Sequence, residues 1–306
     1  MESGKAKIGE IKRFLAENRD VMLETNVIGS DFSFSSRHVK DLVFKIEPMV
    51  FYSSLTSQEN AVLSVLFSMN DFLTSGTWPT FAMIDFERPN GAGEEYLDYM
   101  NSLINCLRER GIRVAAGHTG NYGNIRYGVS GAIALIGLER PVFSFRRIRE
   151  DDTFFVLGTI GEEVSYFRAS KRRSKPYAPE DLSIEKYITG LLKVKSAVHY
   201  IHDVSEGGLK RALQETSELT GLGFNVSSAS LKSSSATGIR GYGKKLFSAS
   251  SSGALILSVD SKRIGGFERL AAENGWKYFE VEKTGDGVTL DGKDYDTKDE
   301  VVKFLE

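Results

Sequence analysis

One junction limits what this 306-residue chain can fold into more than any other. The largely apolar run Leu191–Ile201 gives way to His202-Asp203-Val204-Ser205-Glu206-Gly207-Gly208-Leu209. From there Leu209, Ala212, Leu213, Thr216 and Leu219 fall on one face at helical spacing. A helix is thus expected to begin at an acidic residue, a hydroxyl and two glycines. Backbone N–H groups at a helix start lack internal partners and carry partial positive charge. Glycines let a ligand approach them closely, which suits a phosphate. The same residues also suit a plainer role, with Ser205 as an N-cap and the glycines as packing.

The rest of the chain alternates between strand-like and helix-like patterns, which implies an α/β or α+β architecture. Ile8, Ile11, Phe14 and Leu15 predict a first helix, and Asp41–Ile46 a strand. Val62, Val65, Leu66, Met69, Phe72 and Leu73 form a strong helical face. A strand is expected at Thr80–Asp85, then a helix through Tyr96, Met100, Leu103, Ile104 and Leu107 that stops at Gly111. Ile112–Ala116 and Val129–Leu138 read as strands. Length favours two domains of roughly 100–200 residues. A boundary near 140–152 divides the chain into 1–145 and 146–306. The second part continues the alternation, with strand Thr153–Leu157, a helix over 183–197, the helix over 205–219, strand Ala254–Val259, a helix over 263–274 and strands near 277–290. Lys171–Pro179 reads as a basic loop, and Ser227–Ser252, rich in serine and glycine, as a long mobile one.

Bulk properties exclude several classes. The net charge of −2, with both signs spread along the chain, argues against a dedicated nucleic-acid binder. Cys106 is the only cysteine, so neither an intramolecular disulfide nor a cysteine metal cluster is expected. Met1–Asp20 lacks an apolar signal core, and the longest apolar stretch, near Ala132–Leu138, is far short of the ~20 residues of a membrane span. A cytoplasmic protein with no membrane partner is expected.

Several constellations carry chemistry. Gly238-Ile-Arg-Gly-Tyr-Gly243-Lys244 matches the first seven positions of a phosphate-cradling P-loop. Lys245 follows where Ser or Thr should hold Mg²⁺, and the flanking strand and helix are absent, so a cationic surface loop is the expectation. Asn70-Asp71 interrupts an apolar helix, and an aspartate facing a sheet needs a cation or hydrogen bonds. Asp31 lies in the glycine-containing segment Ile28–Phe32. The two distant carboxylates either meet on Mg²⁺ or remain a cap and a solvated acid. Gly117-His118-Thr119-Gly120 is expected as a loop at a strand's C-terminal end, with His118 at a phosphate or completing a hydrogen-bond network. His199 and His202 lack a further metal-type cluster, which argues against zinc.

Taken in order, these segments resemble the aminoimidazole ribonucleotide (AIR) synthetase, or PurM-like, superfamily from about residue 28 to residue 290. His202–Leu209 is similar to the family box His-Asp-Val-Ser-Asp/Glu-Gly-Gly-Leu. Ser68–Pro79 resembles the helix carrying Asn/Ser-Asp followed by Gly-Ala-x-Pro, and Ala116–Thr119 the Gly-Gly-(Asp/Glu/His)-Thr turn. Asp151–Gly161 looks like the start of the family's second domain, and Ser252–Leu257 like its late Glu-Gly-x-Leu strand. The resemblance implies a two-domain AIR-synthetase-like fold. Its N-terminal four-stranded sheet pairs with its twin in a homodimer, ATP lies at that interface, and a C-terminal α/β domain sits beside it. It implies Mg²⁺-dependent phosphorylation of an oxygen of a small-molecule substrate. Asp71, His202 and Asp203 would be catalytic. Asn70, Gly117, His118, Thr119, Ser205, Gly207 and Gly208 would meet the nucleotide. Asp31, Glu47 and Asp71 would hold metal.

The departures are specific. The family's Gly-Asp-Asp-Ala-Ala element is Gly29-Ser30-Asp31-Phe32-Ser33 here, with an acid lost and a ring that narrows the nucleotide cleft. The Thr-Thr-Asp element becomes Lys45-Ile46-Glu47, and the late Glu becomes Ser252. Fewer carboxylates imply weaker Mg²⁺ retention or one ion instead of several. The missing C-terminal and N-terminal cysteines set the chain apart from the hydrogenase-maturation and selenophosphate branches. Two readings remain: an ATP-using enzyme, and a nucleotide-binding scaffold that has lost turnover.

Overall fold

The polypeptide forms two mixed sheets, each faced by helices. The computed structural model describes residues 8–17, 28, 30–34, 41–89, 93–123, 129–171, 178–295 and 298–299. The first half comprises α1 (Ile8–Glu17), β1 (Ser33–Phe34), β2 (Val43–Val50), α2 (Ser57–Leu73), β3 (Phe81–Pro89), α3 (Glu95–Glu109), β4 (Arg113–Tyr122) and β5 (Val129–Gly137). The second comprises β6 (Thr153–Leu157), α4 (Glu162–Lys171), α5 (Glu185–Leu191), β7 (Val198–Asp203), α6 (Gly208–Thr220), β8 (Gly223–Val226), α7 (Ser228–Ser233), β9 (Leu255–Val259), α8 (Ile264–Glu273), β10 (Tyr278–Thr284) and β11 (Val288–Leu290). One sheet has the order β1-β2-β5-β3-β4 and the other β11-β8-β10-β6-β9-β7. Four long strands of the first sheet are those expected from the sequence, and the two-residue β1 extends it.

Helix α2 ties the halves together. It opens on a capping box, Thr56 Oγ1 accepting from Glu59 N while Glu59 Oε2 accepts from Thr56 N at 2.9 Å. Eleven of its 17 residues are buried, because it lies on β2 and β5 with one side and meets α5, β7 and residues 179–182 with another. One apolar cluster accordingly runs from Val43, Phe72, Ile84 and Leu135 into Ile184, Leu191, Ile201 and Leu257. Phe32 is buried in this cluster, so its ring fills the core and does not narrow a cleft. Among the described residues no helix is long and apolar enough to cross a membrane.

The segment Ser227–Ser252 is not a mobile loop. It holds α7 and a 3₁₀ stretch, Thr237–Ser248, whose Ile239, Leu246 and Phe247 are buried in a second apolar cluster. Serines replace apolar bulk there and are paired: Ser251 Oγ accepts from Gly161 N at 2.6 Å and donates to Ala249 O at 2.6 Å. The Gly238–Lys244 motif thus lies on a 3₁₀ stretch, outside the strand–helix setting a P-loop requires. Of the basic loop at 171–179, residues 172–177 lie outside the described residues.

The face of the first sheet turned away from α2 carries an exposed apolar row. The pairing sets Ile46 opposite Ala134, Ala134 opposite Met83 and Met83 opposite Ala116, one row across four strands. Ile46 is 65% exposed and Met83 44%.

Candidate functional site

The strand β7 is buried along its whole length and ends on His202-Asp203, while Asp31 immediately precedes the residues leading into β1. Asp31 reaches across between the halves. Its Oδ2 accepts from Asp203 N at 3.1 Å, and its Oδ1 lies 3.0 Å from His202 Nδ1. The other ring nitrogen of His202 is 3.3 Å from Glu215 Oε2, and Glu215 Oε1 pairs with Arg211 Nε at 2.7 Å. These are ion-pair contacts of a fully buried ring, whose nitrogens make no well-angled hydrogen bond among the described residues. Burial alone would lower the imidazole pKa. Asp31 foremost, helped by Tyr200 and Asp203, outweighs it and holds the pKa well above the usual histidine value. His202 is thus buried between Asp31 and Glu215.

The helix α2 brings Asp71 to the same place and β2 brings Lys45 and Glu47, which share a face of the strand because they are two residues apart. Lys45 Nζ pairs with both Asp71 Oδ2 and Glu47 Oε1, the latter at 2.6 Å. Burial first, then the Asp203 carboxylate, with Asp31 adding and Lys45 opposing, pushes Asp71 up to about 7. Glu47 is pushed to about 7 by burial and by Asp71, again against Lys45. Repulsion of this kind marks carboxylates that lie close together without enough cation between them. Asp31, His202 and Asp203 present ligand atoms within 4.8 Å of one another, a spacing able to hold a metal ion. Asp31 and Asp203 offer carboxylate oxygens, which suit Mg²⁺, beside a His202 ring nitrogen, and Asp71 adjoins them. Glu47 shares Lys45 with Asp71 and also meets the Asp71 carboxylate directly, so it adjoins the cluster at the Lys45 edge.

The glycine turn is four residues beyond Asp203, which bounds its distance at about 14 Å. Helix α6 starts at Gly208, with Gly207 as its N-cap at φ 82°, so Ser205 is not the cap. Its carbonyl instead accepts from Gly208 N at 3.0 Å. Gly208, at φ +62°, lies so close to the next segment that a Cβ would sit 2.5 Å from Ala249 O. Gly207 N donates to Asp299 Oδ2 at 2.7 Å and Ser250 N to Asp299 Oδ1 at 3.2 Å, with Ser250 Oγ on the same carboxylate. The turn thus holds an anionic group from its own chain. Sequence reasoning missed Asp299 and also Glu163 of α4, which accepts from Ser252 N at 3.3 Å and Ser252 Oγ at 2.8 Å. An acid therefore stands at Ser252 after all. Burial, then Glu206 and Asp299, pushes Glu163 up to about 8.

Other expected residues lie elsewhere. Asn70 clasps the backbone of the second half: its Nδ2 donates to Leu182 O at 2.9 Å and its Oδ1 accepts from Ile184 N at 3.1 Å. That commits its amide and leaves little for a nucleotide. Gly117, His118 and Thr119 form no turn. They continue β4 as an exposed edge strand, paired with Ile84, Asp85 and Phe86. This edge is three strands from Lys45, about 14 Å across the sheet. His118 Nε2 lies 3.1 Å from Tyr122 OH. His199 belongs to a buried network, 2.8 Å from an Asp152 carboxylate that also accepts from Ser258 Oγ.

No family model and no curated protein sequence matches the chain. Solved structures do. Escherichia coli HypE, a hydrogenase maturation protein, aligns with TM-score 0.69 at 18% identity over 82% of each chain. HypE in complex with ATP gives 0.67 at 15% identity, over 94% of this chain and 92% of its own. Thiamine monophosphate kinase from Aquifex aeolicus gives 0.64 at 14% identity, over 95% and 99%. At such identities the likeness is one of fold: the chain has the two-domain, AIR-synthetase-like architecture.

Proposed function

We propose that this chain, built on the AIR-synthetase-like fold, is an Mg²⁺-dependent, ATP-using enzyme that phosphorylates an oxygen of a small metabolite. The observation that carries the reading is the convergence of Asp31, Asp71 and Asp203 from both halves, a short loop away from the Gly207 turn. Asp31, Asp71 and Asp203 would hold Mg²⁺, which neutralises charge on a transferring phosphoryl group. The amides of Gly207 and Ser250, with the Ser250 hydroxyl, would take phosphate oxygens in place of Asp299. His202, with Nδ1 3.0 Å from Asp31 Oδ1, would aim that carboxylate. Solved relatives in fold include a kinase and an ATP complex, which supports the class of chemistry but not the substrate.

We take 1–145 and 146–306 as the two domains and the uncovered row Ile46–Ala134–Met83–Ala116 as the face that pairs with a second copy. Such a dimer would let the partner's β4 supply Gly117, His118 and Thr119 to a nucleotide at the interface. The lone, buried Cys106 fits a reducing, cytoplasmic setting. Purified protein with ATP and Mg²⁺, screened against pools of hydroxyl- and carboxylate-bearing metabolites, is expected to release ADP only with the right pool. Asp71→Asn should abolish that release, and an unimpaired variant would contradict the assignment. A second reading, a nucleotide-binding scaffold without turnover, is favoured by Asp299 lying in the turn. Tight calorimetric binding of ATP with no consumption in any pool would establish it instead.

A further inference from the structure

We propose that Lys45 is a built-in cation of the acid cluster, occupying the Asp71–Glu47 edge so that the site takes one divalent cation and not two. This rests on the reading of the cluster as a metal site. Four carboxylates meet there, from Asp31, Glu47, Asp71 and Asp203. Four carboxylates are enough for two divalent ions on charge alone. One cationic side chain already stands among them: the Lys45 ammonium pairs with both Asp71 and Glu47. Among the described residues Asp31 and Asp203 are the two of the four with no lysine partner, and two carboxylates match the charge of one divalent cation.

The placement of Lys45 follows from the strand. It and Glu47 alternate onto the face of β2 that meets α2, and the Lys45 side chain is only 17% exposed, so the ammonium cannot swing freely into solvent. An ammonium is a compact point charge that bridges two carboxylates much as a metal ion does, but it cannot be chelated away. Lys45 thus puts a covalently tethered cation where an exchangeable ion could otherwise bridge Asp71 and Glu47.

The test is the number of Mn²⁺ ions bound, counted by electron paramagnetic resonance on the full chain without nucleotide. Wild type should bind one. Lys45→Ser should bind two, and Lys45→Ser combined with Glu47→Gln should return to one. Glu47→Gln alone should leave the wild-type count and affinity unchanged within about twofold, and this variant keeps the test available if Lys45→Ser does not fold. Two ions in wild type, no gain in Lys45→Ser, or a tenfold loss of affinity in Glu47→Gln would each overturn the proposal. If wild type binds none, the metal reading of Asp31, Asp71 and Asp203 fails. The role of Lys45 then stands only if Lys45→Ser gains an ion.

Discussion

Asn70→Ala separates a nucleotide ligand from a structural clasp. In the folded chain the side-chain amide holds Leu182 O and Ile184 N, both in the buried contact between α2 and the second half. Truncation leaves one acceptor and one donor without partners, at a cost of roughly 1–3 kcal/mol each. The sum, about 2–6 kcal/mol, is a large fraction of the roughly 5–15 kcal/mol typical of a folded protein. Asn70→Asp should also be costly near neutral pH, because it keeps the acceptor for Ile184 N but turns a carboxylate toward Leu182 O. Urea unfolding followed by fluorescence should show a markedly lower midpoint for both variants. Nucleotide affinity among the molecules still folded should change by less than about threefold. A variant with wild-type stability and abolished nucleotide binding would refute the clasp and restore Asn70 to the ligand.

Glu163 should contribute to the pH dependence of stability, alongside Asp71 and Glu47. Its folded pKa, about 8, lies above the ordinary carboxylate value, so the folded state keeps a proton that the unfolded chain releases near pH 4.5. Stability should therefore fall as pH rises between those values, by on the order of a few kcal/mol, and level off once both states are ionised. Glu163→Gln should reduce the slope of the profile and be more stable than wild type at pH 8.5. Parallel profiles in urea unfolding at pH 5 and 8.5 would contradict this. Asp299→Asn removes the carboxylate from the amides of Gly207 and Ser250. Because a hydrogen bond to a charged group is worth ~1.5–3 kcal/mol, ADP should bind on the order of tenfold more tightly, measured by calorimetry. Unchanged affinity would mean that phosphate does not use this turn.

How far the sequence reveals the molecule depends on how local each feature is. The strand, glycine pair and helix from β7 into α6 are consecutive, so spacing alone exposes them. The α2 helix is equally plain from its apolar periodicity, although Asn70 and Asp71, adjacent on it, take opposite parts because one turns to the 182–184 backbone and the other to Lys45. Asp31 and Asp203, 172 residues apart, meet only through the tertiary fold, and no spacing rule joins them. Lys45 stands at a threonine of the Thr-Thr-Asp element the segment resembles, and its alternation with Glu47 is legible as a shared face. Gly117–Thr119 misleads because glycines suggest a turn, whereas an edge strand also accepts them. Buried serines hide the ordered 227–252 segment, since hydroxyls that pair with backbone carry no apolar pattern. Glu163 and Asp299 offer no signal at all, being brought to Ser252 and Ser250 by long-range packing.

The most direct measurement is a calorimetric titration of a non-hydrolysable ATP analogue into wild type and Asp71→Asn, each with Mg²⁺ and with EDTA. Carboxylates from both halves that together anchor the nucleotide's cation predict tight binding only to wild type with Mg²⁺, weakened at least tenfold by either EDTA or the substitution. Equal affinity in all four titrations would contradict it.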